Sequence, residues 1–298
     1  MRVIDMESYL PGPRIWPPGS ELPGPQGPDR LPAPPGYGFA NYHTIFGPGS
    51  ERYREPTDDD GSFADRADAL IAMMDEAGVE KAVLPTLLNG QVTQVTRRHP
   101  DRLYGFIHLS PYDGMRAVRE LERLVREEHV AGMSVAALYD MVPASDRRYY
   151  PLYAKCVELS LPVRIYTAMT YANDRPYDLA HPRHVDQVAV DFPELTLIVG
   201  LGGWPWVSDT VAILRRHPNL FCDTAAHRAK YFATPGSGWE TFMQFGNTLL
   251  QDKIMVGLSP PLVGLSMQGA IDEYLALPLK EHVKRKWLYD NAARVMGF

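Results

Sequence analysis

The sequence predicts a single (β/α)8 barrel, or TIM barrel, of the α/β class. Eight short apolar runs follow one another along the chain and alternate with helical patterns, as a parallel barrel requires. The 298 residues, with 45% hydrophobic content, suffice for one large domain of this kind but not for a second full domain. We therefore expect residues 1–298 to form one barrel domain.

The predicted strands are short segments rich in Val, Ile, Leu and Phe. They are Arg2–Asp5, Lys81–Pro85, Leu103–Leu109, Ala131–Val135, Val163–Thr167, Thr196–Gly200, Leu220–Thr224 and Lys253–Val256. Side chains along a barrel strand alternate between the interior and the outer helices. Inward-facing residues near the carboxyl ends of these strands are therefore the first candidates for a functional site.

The helix after the first strand carries the clearest helical signals. Ser62 suits the N-cap, Phe63, Leu70 and Met74 recur at helical spacing, and Gly78 provides the stop. The other predicted helices are Gln91–Arg98, Met115–Glu128, Tyr153–Leu159, Pro182–Asp191, Ser208–Arg216 and Trp239–Leu250, with a final helical pair from Ile271 to Met296.

A long segment rich in proline and glycine, Leu10–Gly61, separates the first strand from this helix. It follows the carboxyl end of a strand, the face where barrel enzymes carry their sites. Loops of this length are usually either functional lids or disordered segments. We expect a lid insertion over residues 10–61, with aromatic residues such as Trp16 and with His43 facing a ligand.

Composition restricts the kind of partner. The net charge of -6 arises from interspersed charges without a basic tract, which argues against nucleic acid and anionic membranes as partners. The sequence contains no apolar run of about 20 residues and no signal-peptide core, so we expect a cytoplasmic protein with a small-molecule substrate. A homodimer is compatible with the sequence. The two cysteines, Cys156 and Cys222, are expected to be buried thiols.

Several sequence stretches, taken as a set, match a known pattern from the first residue to the last. They are RVIDMESYLP, MDEAGVEKAVL, HPDRLYGF, YPLYAKCVELSLPVRIYTA, DFPELTLIVGLGGWPW, HPNLFCDTA, DKIMVG and DNAARVMGF. With these stretches the chain resembles the amidohydrolase superfamily, specifically its decarboxylase-like branch. That branch includes aminocarboxymuconate-semialdehyde decarboxylase, the resorcylate-type decarboxylases and related lactone hydrolases.

The resemblance implies positions for a divalent metal site. The family uses a His-x-His pair on the first strand, a His ending the fifth, often a His ending the sixth, and an Asp ending the eighth. The residues at these positions here are Glu7, Tyr9, Tyr166, Leu201 and Ser259. Zinc and related ions need several imidazole, thiolate or carboxylate ligands at one point, and this set supplies one carboxylate. We therefore expect no metal site and no other cofactor.

Strand alternation selects the residues that could perform chemistry. Asp5, Glu7 and Tyr9 share one side of the first strand, and Arg164 and Tyr166 share one side of the fifth. We expect both sets to face the interior, with a buried Asp5–Arg164 pair near the barrel floor, because an unpaired buried charge is costly.

The remaining inward-facing residues are expected near the barrel mouth. Glu7, Tyr9 and Tyr166, with Asp223 from the seventh strand, are the catalytic candidates, because such groups can perform acid–base chemistry without a metal. The alternative is that both phenols only fill the space of a lost metal site. The candidates for binding the substrate are Arg164, His181, Arg183, His227, His43 and Trp16.

These residues predict a metal-independent enzyme that acts by acid–base chemistry on a small aromatic or unsaturated carboxylate, as a decarboxylase-like lyase. Two alternatives remain open. One is a metal-free lactone hydrolase or a cyclase or isomerase of secondary metabolism. The other is an inactive barrel that serves as a binding protein or subunit. An ionisable cluster in the pocket favours an enzyme, whereas a pocket filled by Tyr9, Tyr166 and Leu201 favours the inactive barrel.

Overall fold

The computed structural model describes residues 1–12, 41, 61–87, 94–128 and 130–298. Within these ranges, eight parallel strands form one sheet whose order follows the chain. They are β1 Val3–Asp5, β2 Val79–Leu87, β3 Leu103–His108, β4 Gly132–Val135, β5 Val163–Tyr166, β6 Leu197–Gly200, β7 Leu220–Asp223 and β8 Ile254–Met255. All eight predicted strands are present, and the predicted (β/α)8 fold is confirmed.

Eleven α-helices have both ends within the described ranges, and residues 41 and 94–96 are helical as well. The eleven are α1 Phe63–Ala77, α2 Met115–Glu128, α3 Ala137–Asp140, α4 Tyr150–Glu158, α5 Pro182–Asp191, α6 Val207–Arg216, α7 Glu240–Gly246, α8 Pro260–Val263, α9 Met267–Leu275, α10 Glu281–Arg285 and α11 Asn291–Met296. The predicted bounds of α2 and α5 are confirmed. The four-residue helices α3 and α8 were not predicted, because a single turn shows no periodicity in the sequence.

Helix α1 begins and ends at the predicted residues. The Ser62 hydroxyl accepts a hydrogen bond from the Asp65 backbone N–H at 3.2 Å, and the Asp65 carboxylate accepts one from the Ser62 N–H at 2.9 Å. This reciprocal pair satisfies two amide donors that the first turn cannot use. Gly78 ends the helix in the left-handed conformation at φ 68°.

The sheet closes on itself through hydrogen bonds between the chain just after β1 and just after β8. The Met6 N–H donates to the Val256 carbonyl at 2.9 Å, and the Ser259 N–H donates to the Glu7 carbonyl at 3.0 Å. The Asp5 carboxyl strengthens this seam, because its Oδ1 accepts the Leu258 N–H at 2.7 Å. The first and last strands are thereby joined at the carboxyl end of the barrel.

Two apolar clusters follow from strand alternation. In the outer cluster, strand residues such as Ile165 and Val199 pack against the helices. The inner cluster fills the barrel below the site and consists of Ile4, Met6, Val83, Phe106, Ile198 and Met255, with Ala292 from α11. Because apolar side chains fill this part of the interior, the buried charged side chains of the strands gather toward the carboxyl end.

Only a few residues of the predicted lid are described. Among them, the Asn41 side-chain amide donates to the Tyr171 carbonyl at 2.6 Å, in the loop that follows β5. The rest of the predicted lid, including His43 and Trp16, lies outside the described residues, and both roles stay predictions.

Both cysteine thiols are buried, as predicted. Within the described ranges, no helix has the length and apolar character to cross a membrane.

Candidate active site at the carboxyl ends of the strands

Strand β5 places Arg164 inside the barrel, where the side chain is 4% exposed. Its Nε and Nη2 donate to the Asp223 carboxylate at 2.6 and 3.0 Å, and Nη2 also donates to Glu7 Oε2 at 2.5 Å. One guanidinium thus joins carboxylates from β7 and from the end of β1. Burial alone would lower the pKa of Arg164, but the charges of Asp223 and Glu7 outweigh it and raise the pKa. Arg164 is therefore a permanent buried cation.

Glu7 is the carboxylate at the centre of this cluster and is 2% exposed. Besides Arg164, it accepts hydrogen bonds from the Tyr9 hydroxyl and, at 3.2 Å, from Ser259 Oγ. Ser259 Oγ is oriented in turn by the Ala226 N–H, which donates to it at 3.0 Å. Buried carboxylates are stable when such donors compensate for lost hydration. Glu7 meets this condition through one cation and two hydroxyl groups.

Asp223 is fully buried and is bound as completely as Glu7. Its Oδ1 accepts the backbone N–H groups of Leu201 at 3.0 Å and of Ala225 at 3.1 Å, in addition to Arg164 Nη2. The carboxylate therefore links the turn after β6 to the turn after β7. We infer that Asp223 holds Arg164 in place, whereas its predicted catalytic role stays a prediction.

Gly200 at the end of β6 provides the space for the guanidinium. A Cβ at this position would lie 3.0 Å from Arg164 Cζ and 3.1 Å from Nη2, so close that the guanidinium would have to shift by a few tenths of an ångström. The first glycine of the sequence GLGG therefore serves packing inside the barrel. Alanine here would force Arg164 away from its carboxylate partners.

One edge of the Arg164 guanidinium remains available. Nη1 donates to no group among the described residues, and it is not one of the fully buried polar atoms that lack a partner. A guanidinium edge of this kind is a ready donor to a carboxylate. The cluster thus offers a fixed cation with an unused donor to a ligand entering from the carboxyl end of the barrel.

The predicted Asp5–Arg164 pair is wrong. Asp5 Oδ1 accepts the Glu7 N–H at 3.0 Å and the Leu258 N–H, while Oδ2 has no hydrogen-bond partner in the described part of the chain. The prediction fails because Ile4 and Met6 face the interior, so Asp5 between them lies on the other side of β1, and the chain then bends at Met6 and Glu7. Glu7 consequently takes the position at Arg164. Burial raises the pKa of Asp5 to about 7.

Two other predicted residues lie on elements that border the cluster. Tyr166 follows Arg164 on β5, and its hydroxyl donates to the Met169 carbonyl at 3.3 Å. His227 follows β7, and its Nε2 lies 3.1 Å from the Leu201 carbonyl. Burial lowers the pKa of His227 to about 4, so the imidazole is neutral at physiological pH. Tyr9, Arg164 and the two carboxylates form the hydrogen-bonded centre, whereas Tyr166 and His227 border it.

Three non-glycine residues beside the cluster have left-handed backbone conformations. They are Leu201 after β6 (φ 62°), Ala226 after β7 (φ 63°) and Ser259 after β8 (φ 45°). This conformation costs about 1–2 kcal/mol per residue, and such strain is concentrated at functional sites. In these conformations the Leu201 N–H donates to Asp223, the Ala226 N–H donates to the Ser259 hydroxyl, and the Ser259 hydroxyl donates to Glu7. Nothing in the sequence pattern indicates these conformations.

His181 and Arg183 lie apart from the Arg164 cluster. His181 caps α5, accepting the Arg183 N–H at 3.1 Å, and its ring centre is 4.7 Å from that of Trp206. Both residues line a groove of about 260 Å³ between α5 and α6 on the outside of the barrel. Among the described residues, no contact joins them to Arg164. Their substrate-binding role stays a prediction, now at a separate surface.

A second polar group, which the predicted site did not include, lies at the ends of β3 and β4. His108 Nε2 lies 3.2 Å from Asp140 Oδ1 and its Nδ1 lies 3.2 Å from the Ser134 carbonyl, while the Tyr149 hydroxyl also donates to Asp140. Burial lowers the pKa of His108, but the charge of Asp140 and the hydrogen bonds to Asp140 and the Ser134 carbonyl together outweigh burial and raise the pKa. The strand register aligns His108, Ser134 and Arg164 across three neighbouring strands. Asp140 lies on the unpredicted helix α3, so the sequence offered no signal for it.

The residues at the family's metal-ligand positions do not fit a metal ion. Three of the five positions, Glu7, Tyr9 and Ser259, converge, but both hydroxyl groups donate to Glu7, which already binds Arg164. A phenol and an aliphatic side chain stand at the other two positions, where the family has imidazoles. In the described ranges, no group of three His, Cys, Asp or Glu side chains could hold a metal. The cation that Glu7 binds at this point is the Arg164 guanidinium.

Comparisons with known proteins agree with the resemblance seen in the sequence. Residues 42–298 match the sequence profile of the amidohydrolase family. No curated protein sequence matches the chain. Among solved structures, an uncharacterized TIM-barrel protein from Bordetella bronchiseptica is 21% identical, with a TM-score of 0.69 and coverage of 100% of this chain and 99% of that one.

The similar structures also include enzymes named for their activities. 4-Oxalomesaconate hydratase from Rhodopseudomonas palustris is 19% identical, with a TM-score of 0.61 and coverage of 99% of this chain and 95% of that one. 5-Carboxyvanillate decarboxylase from Novosphingobium aromaticivorans, complexed with manganese, is 17% identical, with a TM-score of 0.59 and coverage of 77% of this chain and 80% of that one. At these identities the similarity concerns the fold.

Proposed function

Because the chain belongs to the amidohydrolase family, we propose that it is an enzyme that releases carbon dioxide from a small aromatic or unsaturated carboxylate without using a metal ion. One observation carries this proposal. The Arg164 guanidinium, held by Glu7 and Asp223, lies where the family's metal-ligand positions converge, and its Nη1 donates to no group in the described part of the chain. A built-in cation then performs the electrostatic work that a metal performs in metal-dependent relatives.

Arg164 binds and orients the substrate carboxylate through Nη1. Two carboxylates already fix the guanidinium, so little reorganisation is needed when a ligand arrives. Burial strengthens the interaction, because a charge pair in the protein interior is screened less than in water. These features suit a small anion that enters from the carboxyl end of the barrel.

The reaction consumes one proton, and the charge balance of the cluster favours uptake of that proton together with the substrate. Glu7 and Asp223 share one guanidinium, so a substrate carboxylate would be the third negative charge around a single cation. The substrate therefore binds together with one proton, which Glu7 and Tyr9 share through their hydrogen bond. When the bond to the carboxyl carbon breaks, its electron pair stays on the substrate carbon, and Tyr9 transfers the proton to that carbon as carbon dioxide leaves.

The test separates metal dependence from turnover. The protein is analysed for metals as purified and is then dialysed against a chelator, and carbon dioxide release from a panel of aromatic and unsaturated carboxylates is followed before and after dialysis. We expect less than one-tenth equivalent of zinc, manganese or iron per chain, an order-of-magnitude threshold for a vacant metal site, and an unchanged rate after chelation. One tightly bound metal whose removal abolishes turnover would contradict metal independence. Binding without turnover of any panel member would favour the inactive barrel.

Proton uptake offers a second measurement. The affinity for a carboxylate that binds should fall about tenfold per pH unit above neutrality, since one proton enters with each ligand. Calorimetry in buffers of different ionisation enthalpy measures the same proton directly. A pH-independent affinity and no proton uptake would exclude the proposed role of Glu7 and Tyr9.

A further inference from the structure

His227 has a fixed tautomer and one unused nitrogen. Its Nε2 lies 3.1 Å from the Leu201 carbonyl, which can only accept a hydrogen bond, so Nε2 carries the hydrogen and Nδ1 is a bare acceptor. Among the described residues no group donates to Nδ1, and Nδ1 is not a fully buried atom without a partner. The half-buried ring therefore presents a lone pair to its surroundings.

The surroundings keep this imidazole neutral. Its ring centre lies 5.1 Å from that of Trp239, in an edge-to-face arrangement, and 6.1 Å from that of Trp204. Burial lowers the pKa of His227 to about 4 and outweighs the opposing effect of Asp223. An imidazole that is neutral at physiological pH can accept a proton, which a charged one cannot.

The backbone on both sides of His227 is tied to the Arg164 cluster. Leu201, whose carbonyl binds the imidazole, donates its N–H to Asp223 at 3.0 Å. Ala226, which precedes His227, donates its N–H to Ser259 Oγ, and Ser259 donates to Glu7. The strained conformations of Leu201 and Ala226 are therefore maintained by the residues that hold Arg164. The imidazole is fixed relative to the cation.

We propose that His227 is a catalytic residue whose Nδ1 accepts the proton of a hydroxyl group on the molecule that Arg164 binds. This inference rests on the proposed function and adds the base that it lacks. The O–H bond breaks, its electron pair stays on the oxygen, and the proton moves to Nδ1, forming an imidazolium near Asp223. The oxyanion pushes electron density toward the carbon that takes up a proton and loses carbon dioxide, and His227 then returns its proton to the oxygen.

The experiment compares benzoate with 2-, 3- and 4-hydroxybenzoate in calorimetric titrations of the full chain. We expect at least one hydroxybenzoate to bind about tenfold more tightly than benzoate, as one hydrogen bond to a buried acceptor implies. His227→Phe keeps a ring between the two tryptophans and should bring this ratio to within about twofold. Thermal unfolding of each variant shows whether it is folded.

A spectroscopic measurement covers the case in which His227→Phe does not fold. In the parent protein labelled with ¹⁵N-histidine, the His227 Nδ1 resonance should move upfield with the preferred hydroxybenzoate and stay in place with benzoate. An unmoved resonance, or a folded His227→Phe that keeps the preference, would overturn the inference. If the parent binds all four compounds equally, His227 lacks this role while the proposed function stands. If it binds none of them, both proposals fail for these carboxylates.

Discussion

Replacing Arg164 by methionine tests whether the guanidinium is the centre of the site. The change keeps an unbranched side chain of similar length but leaves Glu7 and Asp223, both almost fully buried, without their cation. Removing one partner of a buried ion pair costs about 3–5 kcal/mol. Because two carboxylates lose the same cation, we expect the upper end of that range, about 5 kcal/mol at pH 8. This is a large part of the roughly 5–15 kcal/mol that stabilises a typical domain.

The loss should depend on pH in a defined direction. Without Arg164, Glu7 and Asp223 repel each other more in the folded variant than in the unfolded chain, and protonation relieves this repulsion. Groups of this kind stabilise the fold at low pH, and the contribution is lost as pH rises through the folded pKa. The stability deficit of Arg164→Met should therefore shrink between pH 8 and pH 5.

Urea unfolding of parent and variant at pH 5, 6.5 and 8 measures this deficit. The matched control is Arg126→Met on α2, because Arg126 is 67% exposed and pairs with Glu122 at the surface. Surface pairs contribute little, so the control should unfold close to the parent at every pH. The reasoning is refuted if Arg164→Met unfolds at the same urea concentration as the control at pH 8, or if its deficit is the same at all three pH values.

Three further predictions concern neighbouring residues. Glu7→Gln and Tyr9→Phe should each lower turnover about a hundredfold or more, because the two side chains share the transferred proton; unchanged initial rates would contradict this. The pKa of Asp5, raised by burial to about 7, exceeds its unfolded value, so the protonated carboxyl stabilises the fold at low pH and this contribution is lost as pH rises through about 7. Asp5→Asn cannot ionise and should therefore gain urea resistance relative to the parent between pH 5.5 and 8.5, whereas parallel pH profiles would argue against the buried position of Asp5. Gly200→Ala should cost about 1–3 kcal/mol in urea unfolding, since its Cβ would meet the Arg164 guanidinium, and an unchanged midpoint would show that the guanidinium has room to move.

Strand alternation predicted the site well wherever a strand is paired on both sides. Strand β5 lies between β4 and β6, and its Arg164 faces the interior as predicted. On the first strand the prediction assigned the wrong side, because Ile4 and Met6 face the interior and Asp5 lies opposite, and Glu7 reaches Arg164 only after the bend at Met6 and Glu7. Periodicity describes the regular part of a strand, whereas functional side chains often follow its last paired residue.

The rest of the site depends on features that carry no sequence pattern. The Leu201 N–H reaches Asp223 because of a left-handed turn, and the Ser259 hydroxyl reaches Glu7 from a residue in the same conformation. The family positions therefore indicated where side chains would converge but not what they would bind. The pairing of Glu7 with Arg164, in place of the expected Asp5, required three-dimensional contacts between residues more than 150 positions apart.

The seam between β1 and β8 makes the site a late product of folding. Glu7 lies near the start of the chain. The hydrogen bond from the Leu258 N–H, just after β8, to the Asp5 carboxylate spans 253 positions. Contacts of such separation close large loops and tend to form after local structure. During synthesis, strands β1 to β7 can emerge and pair before the segment around Ser259 exists to orient Glu7. Ligand binding at Arg164 would therefore report that the last strand has joined the first, separating completed barrels from collapsed intermediates with similar helix content.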